Sequence, residues 1–240
     1  MILLIDTSQQ TATIALSNEG RVICVEENAV RNDSAAWLHP AINRLLEKAA
    51  SQIRQLEAVA VVAGPGSYTG LRVGMAAAKG FCYALKIPLI TQNTLRVMAE
   101  SMKTIARAKN ALICPMIDAR RSEVFMALYK VEPVNSQPVT VDGKESMINS
   151  QSDIFEILPP QALILDKNSF DKPLAENQIL FFGSGAAKWK EISTASTAVF
   201  ETQKISIQAF ADLATLDFVA KKYADLVYTE PIYLKEFFSY

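Results

Sequence analysis

The chain has little from which to build a metal or nucleophile site. One histidine, His39, occurs in 240 residues, so neither an H-E-x-x-H zinc helix nor a histidine pair for iron can be drawn. A Ser-His-Asp or Cys-His device would have to use that one ring, and no serine stands in a G-x-S-x-G elbow. The three cysteines, Cys24, Cys82 and Cys114, lie far apart in apolar stretches and in odd number. They read as small core residues of a reducing compartment, not as a disulfide framework. No run approaches the roughly 18 apolar residues of a membrane span, and "MILLIDTS" reaches an aspartate without a basic region, so a cytoplasmic protein with no membrane partner is expected. Neither sign of charge is in excess. With 24 Lys and Arg against 25 Asp and Glu the formal net charge is −1, which leaves no counterion-release footprint for autonomous binding of nucleic acid.

What is present is half hydrophobic, enough for one large domain or two lobes with real cores. "ILLID", "TATIALS" and "RVICVEE" are short β-rich runs separated by "TSQQ" and "NEG", a meander of hairpins. The period then changes. Trp37, Leu38, Ala41, Ile42, Leu45, Leu46 and Ala49 recur at three and four residues, an amphipathic helix with Pro40 in its first turn or at a kink. The strand "AVAVVA", a glycine-rich turn, a helix over about Leu71 to Ala84, the strand "IPLITQ" and a helix capped by Thr94 follow. This is a mixed α/β order.

The order then recurs. "LLIDTSQQTATIAL" and "PMIDARRSEVFMAL" align without a gap, pairing Ile5 with Ile117, Asp6 with Asp118, Ala15 with Ala127 and Leu16 with Leu128. Either two strand-turn-strand units coincide or a lobe is duplicated. Further on, "VEPVNSQPVTVDGKESMINSQSD" reads as an exposed insertion or hairpin, "QILFFGSGAAKWKE" as strand, glycine turn and helix start, and Ser206 as the cap of a long helix. The aromatic tail "TEPIYLKEFFSY" is expected to pack on something.

The turn "AGPGSYTGLRVG" is the most pointed motif. It misses both phosphate-binding patterns: Gly70 is followed by Leu71 and Arg72 in place of Lys and Ser/Thr, and Gly66 and Gly70 are separated by three residues where the dinucleotide fingerprint has two. Its glycines serve positive φ or close approach. Asp6, Thr7 and Ser8 at a strand end, with Asp118 from the repeat and the Gly183, Ser184, Gly185 turn, could instead meet a phosphate or a metal-bound water; the competing reading is that they organise turns. Gly70, Gly74 and Ala78 repeat every four residues, with Ala77, Gly80 and Ala84 beside them. An interior helix glycine costs roughly 1 kcal/mol relative to alanine, so a close neighbour is implied. That neighbour is either a helix of the same domain or a partner chain.

"LLIDTS", "GPGSYTGLRVG", "DARRSEVF", "FFGSGA" and "PIYL", in this order, resemble the TsaB (YeaZ) family, non-catalytic subunits of the machinery that installs threonylcarbamoyl on tRNA. The resemblance implies an α/β, actin/Hsp70-like ATPase (ribonuclease H-like) fold of two duplicated lobes. The lobes are taken as 1–105 and 106–240, with a 206–225 helix packing back on the first. It also implies a homodimer, or a heterodimer with the catalytic paralogue TsaD, through helices Ala36 to Ala49 and Gly70 to Ala84. On this reading Trp37, Leu38, Ala41, Ile42, Leu45, Gly70, Leu71, Arg72, Gly74, Met75 and Ala78 form the interface, and a large side chain at Gly74 would fill the groove. A TsaE-like ATPase is a further partner, and tRNA is reached only through the complex. The chain is then no enzyme: no catalytic residue and no metal are assigned, and no cofactor is required, with ATP or ADP the candidate ligand of Asp6, Thr7, Ser8, Asp118, Gly183, Ser184 and Gly185. Ser184 replaces the family's usual aspartate, and "NDSAAWLHP", from Asn32, departs from its usual first-helix start. The alternative from another class is a small actin-like-fold ATPase or kinase acting through Asp6 and Asp118.

Overall fold

The computed structural model describes residues 1–30, 33–132, 139–141, 144–146, 153–202 and 205–235. The chain divides into two compact units, one of Met1–Val97 with Ser206–Tyr233 and one of Met98–Ile205 with the residues from Leu234 onward.

In the first unit β1 (Ile2–Asp6), β2 (Ala12–Asn18) and β3 (Arg21–Asn28) form an antiparallel meander, and β4 (Ala58–Gly64) and β5 (Leu89–Asn93) add in parallel, in the order β3-β2-β1-β4-β5. The β2–β3 turn has Glu19 and Gly20 both at positive φ, the requirement of a two-residue hairpin that matches strand twist. Every residue of β4 is buried, as expected of a strand covered on both faces. On one face lie α1 (Ser34–Lys48) and α2 (Tyr68–Leu85), whose Leu38, Ile42, Leu45, Met75 and Ala78 share a core with Leu3, Ile5, Ile14 and Leu16. α6 (Ile207–Val219) packs on β1, β2, β3 and β5. Pro40 falls inside α1 beyond its first turn, because the helix starts at Ser34, ahead of the periodic residues.

The second unit begins within α3 (Thr94–Lys109) and repeats this plan. β6 (Leu112–Asp118), β7 (Glu123–Val131) and β10 (Ile154–Ile164) are antiparallel, β11 (Ile179–Phe182) and β12 (Ala198–Phe200) join in parallel, and the order is β10-β7-β6-β11-β12. α4 (Asp171–Glu176) and α5 (Ala186–Ile192) complete it, and β8 (Val139–Val141) pairs with β9 (Lys144–Ser146) as a separate ribbon. The remainder of the 131–153 segment read as an insertion lies largely outside the described residues. Three antiparallel strands continued by two parallel ones, twice, is the duplicated actin/Hsp70-like arrangement.

Pairing corrects the gapless alignment by one residue. Ile5 faces Ile14 and Asp6 faces Thr13, whereas Ile117 faces Phe125 and Asp118 faces Val124. The second hairpin is one residue tighter, so Ala127 and Leu128 are not the partners of Ala15 and Leu16. The capping residue of α3 also differs: Asn93 Oδ1 accepts the amides of Leu95 and Arg96, at 2.9 and 3.4 Å, and Thr94 is buried. Ser206 takes the N-cap of α6 without a side-chain cap bond.

The second core is aromatic. Phe170, Phe181 and Trp189 pack with centroids 5.0, 4.9 and 6.1 Å apart, and Trp189 is buried. Trp189→Ala should destabilise the protein by about 3–5 kcal/mol, read from denaturant unfolding.

Candidate functional site

The end of β1 and the GPGSYTG turn form a single backbone joint. Thr7 Oγ1 donates to the Gly70 carbonyl at 2.7 Å, and the Ser67 amide donates to the Ser8 carbonyl at 2.7 Å. The fit admits no side chain. A Cβ at Gly66 would stand 2.3 Å from the Ser8 oxygen, one at Gly70 2.0 Å from the Thr7 oxygen, and one at Gly74 2.3 Å from Thr7 Oγ1. Gly64, at φ +120°, meets the Ile232 carbonyl in the same way. Ser67 caps α2 by accepting the Gly70 amide. The glycines of this motif therefore answer to the chain's own β1.

Asp6 closes the joint. Its Oδ1 accepts both the Ser8 amide, at 2.9 Å, and the Ser8 hydroxyl, at 2.6 Å. Burial pushes its carboxyl above the usual value, against the opposing pull of those two bonds. Asp6 Oδ1 and the hydroxyls of Thr7 and Ser8 are thus engaged in organising the turn.

The second unit carries a looser version. The Gly185 amide donates to the Met116 carbonyl at 3.0 Å, and Gly183, at φ +94°, would bring a Cβ to 2.4 Å from that oxygen. Ser184 Oγ accepts the Asp118 amide at 3.0 Å. Asp118 is exposed and accepts the Arg120 amide and the Lys188 ammonium, at 2.6 and 2.5 Å. Partial burial raises its carboxyl, and the Lys188 and Arg120 contacts outweigh this, so the net displacement is downward. Lys188 also donates to the Glu123 carbonyl. Among the described residues no three His, Cys, Asp or Glu side chains gather as a metal site. The exposed His39 packs on Phe81, centroids 5.6 Å apart.

The helix pair requires a correction. Leu38, Ala41, Ile42, Leu45, Gly70, Leu71, Gly74, Met75 and Ala78 are all buried in their own unit, so they are not free to touch another chain. The apolar stripe of each helix was drawn inward by the sheet, which leaves Trp37 and Arg72 as the members of that set with exposed or half-exposed positions. For the same reason a large side chain at Gly74 would strike Thr7 and would not fill an external groove. What α2 does present is Thr69, Arg72, Ala76, Gly80, Tyr83 and Ala84, flanked on α1 by Ala36, His39 and Asn43. Gly80 has nothing within 4 Å of a Cβ built on it, and Tyr83 is 80% exposed. Period alone did not separate Gly80 from Gly74. Of the departures read at the start of α1, Asn32 lies outside the described residues.

The model of a family described as TsaD, tRNA N6-adenosine threonylcarbamoyltransferase, matches residues 26–229. The chain is 36% identical over 129 residues to the tRNA threonylcarbamoyladenosine biosynthesis protein TsaB of Bacillus subtilis, a match that spans 54% of this chain and about half, 55%, of that one. It is 26% identical over 234 residues to the protein of the same name from Haemophilus influenzae, covering 98% and 93% of the two chains. Its fold is that of a Pseudomonas aeruginosa protein described as similar to peptidase YEAZ, with TM-score 0.77 and 21% identity over 98% and 99% of the chains.

Gly70→Ala should cost about 3 kcal/mol or more, since backbone must move to admit the methyl, and thermal unfolding reads it. Asp6→Asn keeps an acceptor for Ser8 and removes the buried charge. Because folding raises the Asp6 pKa, wild type should lose stability relative to Asp6→Asn as pH rises from below the ordinary value of 3.8 towards 7, measured as the difference between urea midpoints.

Proposed function

The chain belongs to the TsaB (YeaZ) family of tRNA threonylcarbamoyladenosine biosynthesis proteins, within the wider TsaD family, and from that premise we propose that it is a non-catalytic scaffold. In this reading it pairs with a TsaD-like catalytic paralogue and holds it in the arrangement that transfers a threonylcarbamoyl group to the adenosine beside the tRNA anticodon. The face it uses is the outward side of α2 with the adjoining edge of α1.

Gly80 carries the reading. A glycine inside a helix costs roughly 1 kcal/mol relative to alanine. Gly70 and Gly74 recover that cost in the joint with β1, whereas Gly80 has open space where its side chain would be. Together with Ala76 and Ala84 it makes a shallow track on the exposed surface beside Tyr83, the kind of surface a second helix enters. The even charge balance supports a chain that meets tRNA through its partners and not alone. No nucleotide of its own is needed: Asp6, Thr7 and Ser8 maintain the joint, and a TsaE-like ATPase supplies any hydrolysis. Without the paralogue the same face pairs two copies of this chain, and the assembly works in the cytoplasm.

Gly80→Leu separates assembly from folding because the two effects have opposite signs. The variant should be as stable as wild type or up to about 1 kcal/mol more stable, yet should not co-elute with the paralogue on gel filtration and should not support tRNA modification in a reconstituted assay. Normal co-elution would remove the reading.

A further inference from the structure

One flank of α2 is bound by the segment Asp225–Tyr233. The Ala224 amide pairs with the Leu89 carbonyl at 2.8 Å, and Asp225 Oδ1 then accepts the amides of Val227 and Tyr228 at 2.7 and 2.9 Å. The segment continues to Ile232, whose amide donates to the Ala63 carbonyl at 2.7 Å. Two cations of α2 hold it. Lys79 Nζ donates to the carbonyls of Val227 and Thr229, each at 3.0 Å. Arg72 Nε donates to the Tyr233 hydroxyl at 3.1 Å, its guanidinium 4.0 Å from the Tyr68 ring centroid.

The grip of Lys79 is on main chain, and the side chains there turn outward. Val227 is 73% and Tyr228 82% exposed; with Tyr83 they are the three most exposed large apolar side chains among the described residues. Tyr83 lies one turn beyond Lys79 on the same side of α2. A segment that merely covered α2 would turn such residues inward, where each is worth about 1.5–3 kcal/mol. Here the backbone is fixed by an aspartate turn and two lysine bonds while the apolar groups are held in water, and a cluster of that kind marks a contact surface.

We infer that this strap is a second contact element for the TsaD-like paralogue, with Val227 and Tyr228 forming a wall beside the Ala76 and Gly80 track and Lys79 acting as a positioning residue that sets the wall. The inference rests on the assembly reading above. The strap adjoins the α2 face assigned to the paralogue, to which Lys79 ties it, so the paralogue is its occupant, and the TsaD family model matches residues 26–229, a range that includes both helices and the strap as far as Thr229. A TsaD-family partner therefore brings its own counterpart of this helix pair, and aromatic tips flanking a small-residue track suit a packed helix.

The test is calorimetric titration of the full chain with the paralogue. V227S/Y228S should melt as wild type does and bind about ten-fold more weakly or worse. K79Q should weaken binding by a smaller factor and add nothing in the V227S/Y228S background, because Lys79 acts through those side chains. If V227S/Y228S binds as wild type while Gly80→Leu does not bind, the strap is no contact element and the assembly reading stands. If both bind as wild type, the two fall together. Loss confined to self-association in V227S/Y228S also overturns the inference, and additivity of K79Q with it removes the positioning role of Lys79.

Discussion

The structure of the first unit depends on how closely two stretches of backbone approach each other. The carbonyls of Thr7 and Ser8 sit where the side chains of residues 66 and 70 would otherwise be, and Thr7 Oγ1 sits where that of residue 74 would be. This contact presses α2 onto β1 and β4 and fixes its rotation about its own axis. Once the rotation is set, Gly70, Gly74 and Ala78 are inside and Ala76, Gly80 and Tyr83 are outside. The motif that looks most like a phosphate cradle is a joint, and it determines which face of α2 is left exposed.

In the first unit the groups the sequence offers for phosphate chemistry bond within the turn: Asp6 Oδ1 to Ser8, Thr7 to Gly70, and the amide of Ser67 to the Ser8 carbonyl. In the second unit Asp118 is held by Lys188 and by the Arg120 amide. The surface, in contrast, carries unspent apolar groups beside a small-residue track. The interior turn is closed by its own hydrogen bonds, and the outward side of α2 stays exposed.

Much of the fold was legible because it follows from periodicity. The alternation in "TATIALS" and the three-four spacing from Trp37 to Leu46 each placed an element, and the strand-aspartate-turn repeat disclosed the duplication. Other features depend on contacts that one sequence does not state. A glycine every four residues announces a close neighbour without saying on which side, so Gly74 and Gly80 look alike until β1 is in place. An alignment without gaps conceals a turn shortened by one residue, and only the pairing of Ile117 with Phe125 reveals it. Asn93 and Thr94 are both good caps, and burial of Thr94 left the role to Asn93. Lys79 gave one signal that could have been read: it is a lone ammonium in the small-residue run from Gly74 to Gly80, and its partners lie about 150 residues away in the strap.

The central claim is that the outward side of α2 touches the catalytic paralogue. A photo-crosslinking amino acid placed at Tyr83 tests it directly, with the same probe at Lys172, on the exposed surface of α4, for comparison. Irradiation of the mixed proteins should give a covalent heterodimer from position 83 and none from position 172. A heterodimer formed from 172 and not from 83 would contradict the account.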